Sequence, residues 1–293
     1  MSEPVFGHVA VVGLGLMGGS TALAALERGA AREVRGVDPG LDDAGAIPLV
    51  SLANAVAWAD LIVLAVPLEA MGEVMQAAAP HLRPATLLTD LASVKGPVAE
   101  LARRHLPHPE NCVGAHPMTG GHATGFGHAR ASLFDGAPCI LALSGGEDPY
   151  VVDRIEDFWQ CLGAFTVRKS PEEHDAIAAA LSHLPHVVAF AYAMGLPGDE
   201  RLELSGPGLR DFIRIARSNP KLWCEILLMN RKRVAEESAR FSKNLGAIME
   251  ALERADRDEL ERLLEAGRAG VNRLDERIKQ RSKRTKPTGE RRR

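Results

Sequence analysis

His116 lies in the glycine-rich segment Gly114–Gly121, with the sequence GAHPMTGG, and a second glycine-rich segment, GLGLMGGS, spans Gly13–Ser20. The ring of a histidine has a pKa near 6.5, so a neutral histidine can accept a proton at physiological pH. A loop of the second kind can hold the phosphates of a dinucleotide. A proton acceptor combined with a dinucleotide loop predicts hydride transfer to a bound cofactor, and hence a dehydrogenase.

The segment GLGLMGGS fits the pattern GxGxxG through Gly13, Gly15 and Gly18, directly after an apolar run, HVAVVG, and before a helical pattern. The first glycine permits a tight turn, the second lets the backbone approach the pyrophosphate, and the third allows close contact between helix and strand. The N-terminus of the helix stabilises the phosphate charge. The residues predicted to bind the cofactor at this loop are Gly13, Gly15, Leu16, Met17 and Gly18.

The choice between NAD and NADP is predicted by Asp38, which ends the second β-rich run, Val34–Asp38. A carboxylate there can accept hydrogen bonds from both ribose hydroxyls and repels a 2′-phosphate, so NAD is favoured. Arg35 lies nearby, but strand alternation places it on the other face. The segment Ala65, Val66 and Pro67 ends the next run and is also predicted to contact NAD.

Seven β-rich runs alternate with helical patterns up to about residue 167, which is typical of a parallel sheet built from βαβ units. The predicted strands are His8–Gly13, Val34–Asp38, Leu61–Val66, Leu87–Asp90, Cys112–Ala115, Pro138–Leu143 and Phe165–Val167. We therefore predict an α/β N-terminal Rossmann-type dinucleotide-binding domain over residues 1–169.

The pattern changes at Ser170, where the sequence SPEE has an N-cap residue, a first-turn proline and the glutamate of a capping box. Only helical spacing follows, with Asn219-Pro220 as a further start signal. We predict an all-α C-terminal domain over residues 170–280. A long apolar helical stripe often packs against a second copy, so a homodimer formed through this domain is expected.

The composition is that of an ordinary globular protein, with 46% hydrophobic and 25% charged residues. A net charge of -3 gives no reason to expect a nucleic-acid or membrane partner, and four scattered cysteines indicate reduced thiols. Together with the absence of a signal sequence, these features predict a cytoplasmic protein. Residues 281–293 carry seven Lys or Arg and one Glu and are predicted to be a basic, disordered tail.

Five segments of the sequence, in this order along the chain, resemble the prephenate/arogenate dehydrogenase family of tyrosine biosynthesis. They are DLASVKG (Asp90–Gly96), GAHPMTGGHATG (Gly114–Gly125), EEHD (Glu172–Asp175), SHLPH (Ser182–His186) and LRDFIRIA (Leu209–Ala216). Together with the glycine loop, the resemblance extends over nearly the whole chain. It implies NAD-dependent oxidative decarboxylation of prephenate to 4-hydroxyphenylpyruvate and CO2.

The resemblance also implies roles for individual residues. His116 matches the catalytic histidine, which accepts a hydrogen bond from the 4-hydroxyl group of the substrate. Ser93 matches a serine that orients this histidine and lies at the cofactor, although a helix N-cap is the alternative interpretation. Arg214 matches an arginine that binds a substrate carboxylate, and His186 matches a histidine that lines the pocket.

The sequence departs from the family at the segment Gly121–Gly125, GHATG. The family commonly has a hydroxyl residue, an acid and a lysine there, and those side chains line the substrate entrance. Gly121 and His122 are accordingly expected to contact the substrate, and the choice between prephenate and arogenate stays open.

Two further classes of protein compete with this interpretation. The β-hydroxyacid dehydrogenases share a GLGxMG opening but use a lysine in the helical domain, and neither Lys169 nor Lys221 fits that pattern. A non-catalytic NAD-binding protein would keep the glycines but would not need His116, Ser93 and Arg214. No metal is expected, because His183 and His186 have no third ligand at useful spacing.

Overall fold

A single seven-stranded sheet forms the centre of the N-terminal part of the protein. The computed structural model describes residues 3–120 and 123–284, the side chains of the last four of these excepted. All seven predicted strands are present: β1 Phe6–Val12, β2 Ala31–Val37, β3 Leu61–Leu64, β4 Leu87–Asp90, β5 Cys112–Pro117, β6 Pro138–Ala142 and β7 Phe165–Lys169. The predicted α/β class is therefore confirmed.

The strands follow the order β2-β1-β3-β4-β5-β6-β7, and β1 to β5 are all parallel. The prediction of an entirely parallel sheet is wrong at one place, because β6 runs antiparallel to β5, while β7 is parallel to β6. The described residues between β5 and β6 form only short 3-10 turns, at Phe126–His128 and Ala131–Phe134. A crossover helix, which would return the chain to start a parallel strand, is absent there.

Five helices cover the two faces of the sheet: α1 Leu16–Glu27, α2 Leu52–Trp58, α3 Leu68–Ala78, α4 Gly96–His105 and α5 Pro149–Cys161. Alternate residues of β1 enter two separate apolar clusters. Val9 and Val11 belong to the cluster that includes residues of α1 and α5, and Ala10 and Val12 belong to the cluster of α2, α3 and α4. Burial on both faces explains why β1 appears in the sequence as a continuous apolar run.

Only helices follow β7 in the described part of the chain. They are α6 Pro171–Ala178, α7 Leu184–Met194, α8 Pro207–Ile213, α9 Pro220–Met229, α10 Arg231–Glu253 and α11 Arg257–Arg284. The capping box at Ser170 is formed, with reciprocal hydrogen bonds between Ser170 and Glu173. Asn219 caps α9 by accepting a hydrogen bond from the backbone N–H of Lys221.

The chain divides into two compact units, residues 1–234 and residues 235–293. Helices α6 to α9 thus belong to the unit that contains the sheet, and the boundary predicted near residue 170 stays a prediction. Helix α11 continues to Arg284, so the helix extends four residues into the segment predicted to be a disordered tail. Residues 285–293 of that segment lie outside the described part of the chain.

Large apolar side chains are exposed in both units. In residues 171–234 they include Leu181, Tyr192, Met194, Leu204, Phe212 and Leu228, and in the second unit they include Phe241, Leu245, Met249, Leu252, Leu264, Val271 and Leu274. The continuous helical stretch Pro171–Met194 is, by length and composition alone, apolar enough to cross a membrane. A helix that packs against another protein surface meets the same two criteria.

Candidate active site

The loop between β1 and α1 depends on glycine residues, because its backbone comes close to the end of strand β3. Gly13 has a φ of +90°, a conformation in which a side chain is strained, and a Cβ atom placed there would lie 2.5 Å from the carbonyl oxygen of Ala65. Ala65 in turn donates its N–H to the carbonyl of Val12 at 2.8 Å. The turn therefore requires glycine at position 13, because strand β3 ends directly against it.

The next two glycines of the motif have different surroundings. A Cβ atom on Gly15 would meet nothing within 4 Å, so the backbone there faces open space at the start of α1. No side chain caps this helix at its N-terminus, where Gly15 is the N-cap residue. At Gly18 a Cβ atom would collide with the carbonyl oxygen of Gly13 and would lie 2.8 Å from the Cβ of Ala65. Unpaired N–H groups with open space before them are suited to a phosphate.

The side chains of Leu16 and Met17 point elsewhere. Leu16 is buried in the apolar cluster beneath α1, and Met17 packs against the same cluster. A contribution of these two residues to cofactor binding would therefore come from their backbone N–H groups in the first turn of α1.

Asp38 follows β2 and is held by two backbone groups. Its Oδ2 accepts a hydrogen bond from the N–H of Leu14 at 2.8 Å, and its Oδ1 accepts one from the N–H of Gly40 at 2.9 Å. Each oxygen keeps further lone-pair capacity for a ribose hydroxyl. Arg35 lies over the ring of Trp58, 4.0 Å from its centroid.

These features fit a dinucleotide at the carboxyl edge of β1, β2 and β3. Gly15 leaves the space for a pyrophosphate, α1 offers its N-terminus, and Asp38 presents an oriented carboxylate. Val66 and Pro67 follow β3 at the same edge, with Pro67 exposed as the N-cap residue of α3. When bound, NAD⁺ would supply the hydride acceptor of the reaction.

His116 lies near the end of β5, paired with Ile140 of β6, and its ring contacts a second histidine. Nδ1 of His116 is 2.8 Å from Nε2 of His174 on α6, within hydrogen-bond distance. The ring centroids are 5.0 Å apart, with the planes inclined by 56°. The strand and the helix, which are 58 residues apart in sequence, therefore meet through these two side chains.

The hydrogen-bonded chain continues from His174 to Asp175. Nδ1 of the completely buried His174 is 2.8 Å from Oδ1 of Asp175. The Asp175 carboxylate also accepts the backbone N–H of Lys95 at 2.7 Å and that of Gly96 at 2.9 Å. It thereby caps the N-terminus of α4 from another element, since no side chain of α4 itself does so.

Burial and neighbouring positive groups keep these histidines neutral. Desolvation, together with the electrostatic influence of His174 and Lys95, holds the pKa of His116 well below its usual value of 6.5. Desolvation also lowers the pKa of His174, although the hydrogen bond to Asp175 opposes that effect. Desolvation raises the pKa of Asp175, but hydrogen bonds from His174 and from the N–H groups of Lys95 and Gly96 outweigh it and lower the pKa. At neutral pH the hydrogen-bonded chain of His116, His174 and Asp175 therefore contains two neutral rings and one carboxylate.

A buried ion pair lies beside this chain. Nζ of Lys95 is 2.5 Å from Oδ1 of Asp90, and both side chains are only 1% exposed. The same oxygen accepts the backbone N–H of Ala92 at 2.9 Å. The pair fixes the loop between β4 and α4, which carries Ser93, and places a positive charge where it disfavours a protonated His116.

Ser93 lies in that loop and is partly buried. The alternative interpretation of Ser93 as a helix N-cap is wrong, because α4 begins only at Gly96 with Lys95 as its N-cap residue. Within the described residues 3–120 and 123–284, the His116 ring is hydrogen-bonded to His174 and not to the Ser93 hydroxyl. The role of Ser93 therefore stays a prediction.

The two histidines of the SHLPH segment have separate environments. Buried His183 receives a hydrogen bond at Nδ1 from the side-chain amide of Asn230, 3.1 Å away, and desolvation lowers its pKa to about 4. His186 is partly buried and stacked on Trp223 at 3.6 Å, and its Nδ1 donates to the carbonyl of Ser182 at 2.9 Å.

The other predicted substrate-binding residues are Arg214, Gly121 and His122. Arg214 begins the short 3-10 helix Arg214–Arg217 after α8 and is exposed. Gly121 and His122 lie outside the described residues. Within the part of the chain that the structure describes, no group of three or more His, Cys, Asp or Glu side chains could hold a metal ion.

Sequence reasoning missed the partners of His116. The EEHD segment was noted only as part of the family resemblance, whereas its His174 is buried and hydrogen-bonded to the catalytic candidate His116. Sequence reasoning gave Asp175 and Asn230 no function, although Asp175 joins α6 to α4 and Asn230 bonds both His183 and the backbone carbonyl of Asp175. Besides the family resemblance, the one local signal was the capping box at Ser170, which places residues 174 and 175 on the first turns of a helix.

Two family models match adjoining parts of the chain, which together extend from residue 20 to residue 266. Residues 20–168 match the model described as prephenate dehydrogenase, nucleotide-binding domain, and residues 170–266 match prephenate dehydrogenase, dimerization domain. Among curated proteins, the prephenate dehydrogenase of Bacillus subtilis is 30% identical over 86% of this chain and 72% of its own length. The cyclohexadienyl dehydrogenase of Zymomonas mobilis is 32% identical over 87% of this chain and 92% of its own.

Solved structures show the same similarity. The prephenate dehydrogenase of Aquifex aeolicus, in complex with hydroxyphenyl propionate and NAD⁺, superposes with a TM-score of 0.83 and 28% identity, covering 94% of this chain and 99% of that one. The arogenate dehydrogenase of Synechocystis superposes with a TM-score of 0.79 and 26% identity, covering 91% and 99%.

Proposed function

This chain belongs to the prephenate dehydrogenase family of NAD-dependent oxidoreductases, and from that premise we propose how its own residues carry out the reaction. The reaction is the oxidative decarboxylation of prephenate to 4-hydroxyphenylpyruvate, a step of tyrosine biosynthesis. The observation that carries the mechanism is the His116 ring, placed near the end of β5 with its Nδ1 occupied by His174. Its Nε2 is thereby left to meet a substrate.

The reaction balances without an added reagent. The C4–H bond of prephenate breaks and its electron pair leaves as a hydride to NAD⁺, while the 4-hydroxyl proton moves to Nε2 of His116. The resulting dienone loses the ring carboxylate as CO2, and the electrons of the broken C–C bond make the ring aromatic. The ring oxygen then recovers the proton from His116, which gives the phenol.

The state of His116 suits this step. A base must be unprotonated before it can act, and burial with the nearby Lys95 keeps the pKa of His116 low. A positioned base contributes roughly 10²- to 10⁴-fold to the rate. A neutral ring at working pH is therefore the form that begins the reaction.

The dianionic substrate also needs donors for its carboxylates. We assign one carboxylate to Arg214, because a guanidinium presents a planar fork of donors that matches a carboxylate. His186, whose ring is stacked on Trp223, is assigned to the pocket wall. Gly121 and His122 are assigned to the substrate entrance, on the resemblance alone.

Arogenate is the second candidate substrate, since a similar structure is that of an arogenate dehydrogenase and a relative is named cyclohexadienyl dehydrogenase. Arogenate has an amino group where prephenate has the side-chain keto group, so the chemistry at His116 would be the same. Only the protein contacts around the keto or amino group of the side chain would differ between the two substrates.

The test is a spectrophotometric assay of NADH or NADPH formation that offers prephenate and arogenate, each with NAD⁺ and with NADP⁺. We expect the highest kcat/KM with prephenate and NAD⁺. A preference for arogenate would replace the proposed substrate, and equal use of NADP⁺ would contradict the role given to Asp38. Absence of turnover in all four combinations would overturn the proposed function.

We also propose that the protein is a homodimer formed through its helical C-terminal part. The support is the match to a dimerization domain and the many exposed apolar side chains of the helices after residue 170. Sedimentation equilibrium is expected to give twice the chain mass of 31.4 kDa. A monomer at micromolar concentration would contradict this assembly.

A further inference from the structure

Three side chains form one continuous hydrogen-bonded chain that ends at the base. The contacts run from Nδ1 of His116 to Nε2 of His174 at 2.8 Å, and from Nδ1 of His174 to Oδ1 of Asp175 at 2.8 Å. His174 is completely buried and Asp175 nearly so, which excludes bulk water as a competing partner. Such a chain can fix which ring nitrogens carry protons.

The protonation pattern follows from the carboxylate. An ionised Asp175 can only accept, so His174 must carry a proton on Nδ1, and the Nε2 of a neutral His174 must then be an acceptor. His116 therefore has to donate from its own Nδ1, which leaves the lone pair on Nε2. Each proton assignment depends on the one before it. The first is fixed by the Asp175 carboxylate, which is 59 positions from His116 in the sequence.

We propose that His174 and Asp175 are positioning residues that hold His116 in the tautomer with Nε2 unprotonated and that share the positive charge formed when His116 accepts the substrate proton. This inference rests on the proposed function for the identity of the proton donor. It goes beyond that function by giving the base two partners from α6.

The charge sharing is a proton movement within the chain. When Nε2 of His116 takes the hydroxyl proton, the Nδ1 proton of His116 can shift towards Nε2 of His174. His174 then carries the positive charge next to the Asp175 carboxylate, 2.8 Å away. No atom leaves the chain, and the same shift reverses when His116 returns the proton to the ring oxygen of the product.

Asp175 is held in place for this task by backbone. The N–H groups of Lys95 and Gly96 donate to its two oxygens, and its own carbonyl accepts from the side chain of Asn230 at 2.8 Å. These bonds stabilise the ionised carboxylate and fix its direction. They also mean that a change at Asp175 affects the start of α4, so a variant of His174 is the cleaner probe.

The pH dependence of the chain must be considered with all of its neighbours. Titratable and charged groups from α6, the end of β4, the β4–α4 loop, the turn before α7 and strand β6 face the pair formed by His116 and His174. Around His116 they are Lys95, His183 and Cys139, and around His174 they are Asp175, Lys95 and Asp90. Because His116 and His174 interact, the acid limb of the kcat/KM profile against pH reports the protonation of the pair and not of one ring. The Asp175 charge favours protonation of this pair, and its removal moves the acid limb of kcat/KM to lower pH.

The direct test is long-range 1H–15N NMR of the histidine rings in the full-length protein with NAD⁺ present. We expect His116 and His174 both to carry the proton on Nδ1 at pH 7.5 and to have an unprotonated Nε2. This measurement needs no substrate, so it separates the inference from the proposed function. A His116 protonated on Nε2 in the unmodified protein would overturn the inference even if prephenate is turned over.

The kinetic test uses His174→Phe, which keeps a ring of similar shape but provides no acceptor. We expect kcat to fall by about 10²-fold, with the KM for prephenate and for NAD⁺ within about threefold of the original. The second variant, Asp175→Asn, is expected to move the acid limb of kcat/KM to lower pH. A purely structural role would lower the plateau and leave the limb in place.

The matched control is Glu173→Ala, on the same turn of α6. It removes the glutamate half of the capping box but leaves His174 and Asp175 unchanged. We expect a loss of thermal stability with kcat within about threefold of the original. If Glu173→Ala reduced kcat as much as His174→Phe, or if His174→Phe kept both kcat and the acid limb, the inference would be overturned.

Discussion

The dinucleotide edge, at β1 to β3, and the histidine centre, at β5, lie at the carboxyl ends of strands of one sheet and are built in opposite ways. At the dinucleotide edge, Gly13, Gly15 and Asp38 come from a single βαβ unit. The two glycines act through backbone shape, and the Asp38 carboxylate is oriented by backbone N–H groups. At the histidine centre, His116 and His174 meet as side chains from β5 and α6, far apart in sequence.

This difference determines what each region is sensitive to. A site formed by backbone groups requires glycine at a few positions, and its function does not depend on the protonation state of a side chain. A site made from buried histidines depends on which nitrogen carries a proton and on the removal of charge by burial. The two regions should therefore lose their functions through different substitutions.

The largest effect is expected from His116→Asn. The amide cannot accept a proton at neutral pH, so kcat should fall by about 10³-fold, within the range contributed by a positioned base. Binding of NAD⁺, measured by titration calorimetry, should stay within about twofold, because Gly13, Gly15 and Asp38 are unchanged. The NADH assay gives kcat.

This result would show that chemistry can be lost while the dinucleotide edge is intact. Turnover near the original rate would remove His116 from the mechanism. Equal losses in turnover and in NAD⁺ affinity would instead show that the two regions are one cooperative site, which would break the comparison.

The second prediction concerns acid stability. Burial lowers the pKa of His183 to about 4, whereas an unfolded histidine titrates near 6.5. Between these two values the unfolded chain binds a proton that the folded chain does not, so stability falls as pH decreases from about 6.5 towards 4. His183 alone should account for up to about 3 kcal/mol of that loss.

Urea unfolding at several pH values measures this effect. His183→Gln should reduce the slope of the free energy of unfolding against pH below pH 6.5, whatever it does to stability at neutral pH. The exposed His81 provides the control, since His81→Gln alters a ring that already lies in water. An unchanged slope for His183→Gln would argue that this histidine is protonated in the folded protein.

The comparison also explains what could be predicted from the sequence. The strands, the turn at Gly13, the acid at Asp38 and the helix start at Ser170 all depend on neighbouring residues, and each left a local pattern. The antiparallel direction of β6 left no local pattern, because the direction of a strand depends on the connection that precedes the strand and not on its own residues.

The partners of His116 were missed for a related reason. His174 and Asp175 follow a capping box and look like ordinary polar residues of a first helical turn. Their function comes from the packing of α6 next to β5 and α4, which brings together residues 58 to 80 positions apart. The capping box locates these residues on a helix but does not predict the contact, and the family resemblance marked the segment without identifying His174 and Asp175 as partners of His116.

The smallest effect, and the sharpest test of the backbone-built edge, is a pair of glycine substitutions. Gly15→Ala adds a methyl group that meets nothing within 4 Å in the protein, so the thermal midpoint should stay within about 2 °C of the original. The same methyl group occupies the space for the pyrophosphate, so the KM for NAD⁺ should rise by about tenfold with kcat nearly unchanged.

Gly13→Ala is the matched variant, because the same methyl group there lies 2.5 Å from the Ala65 carbonyl in a residue with a φ of +90°. It should lower the thermal midpoint by several degrees, since strained backbone and a steric clash each cost about 1 to 3 kcal/mol. Differential scanning fluorimetry and the NADH assay separate the two outcomes. If Gly15→Ala destabilised the protein as much as Gly13→Ala, the open space at Gly15 would have a structural use. If it left NAD⁺ binding unchanged, the pyrophosphate would have to lie elsewhere, and the dinucleotide edge would no longer be defined by its backbone.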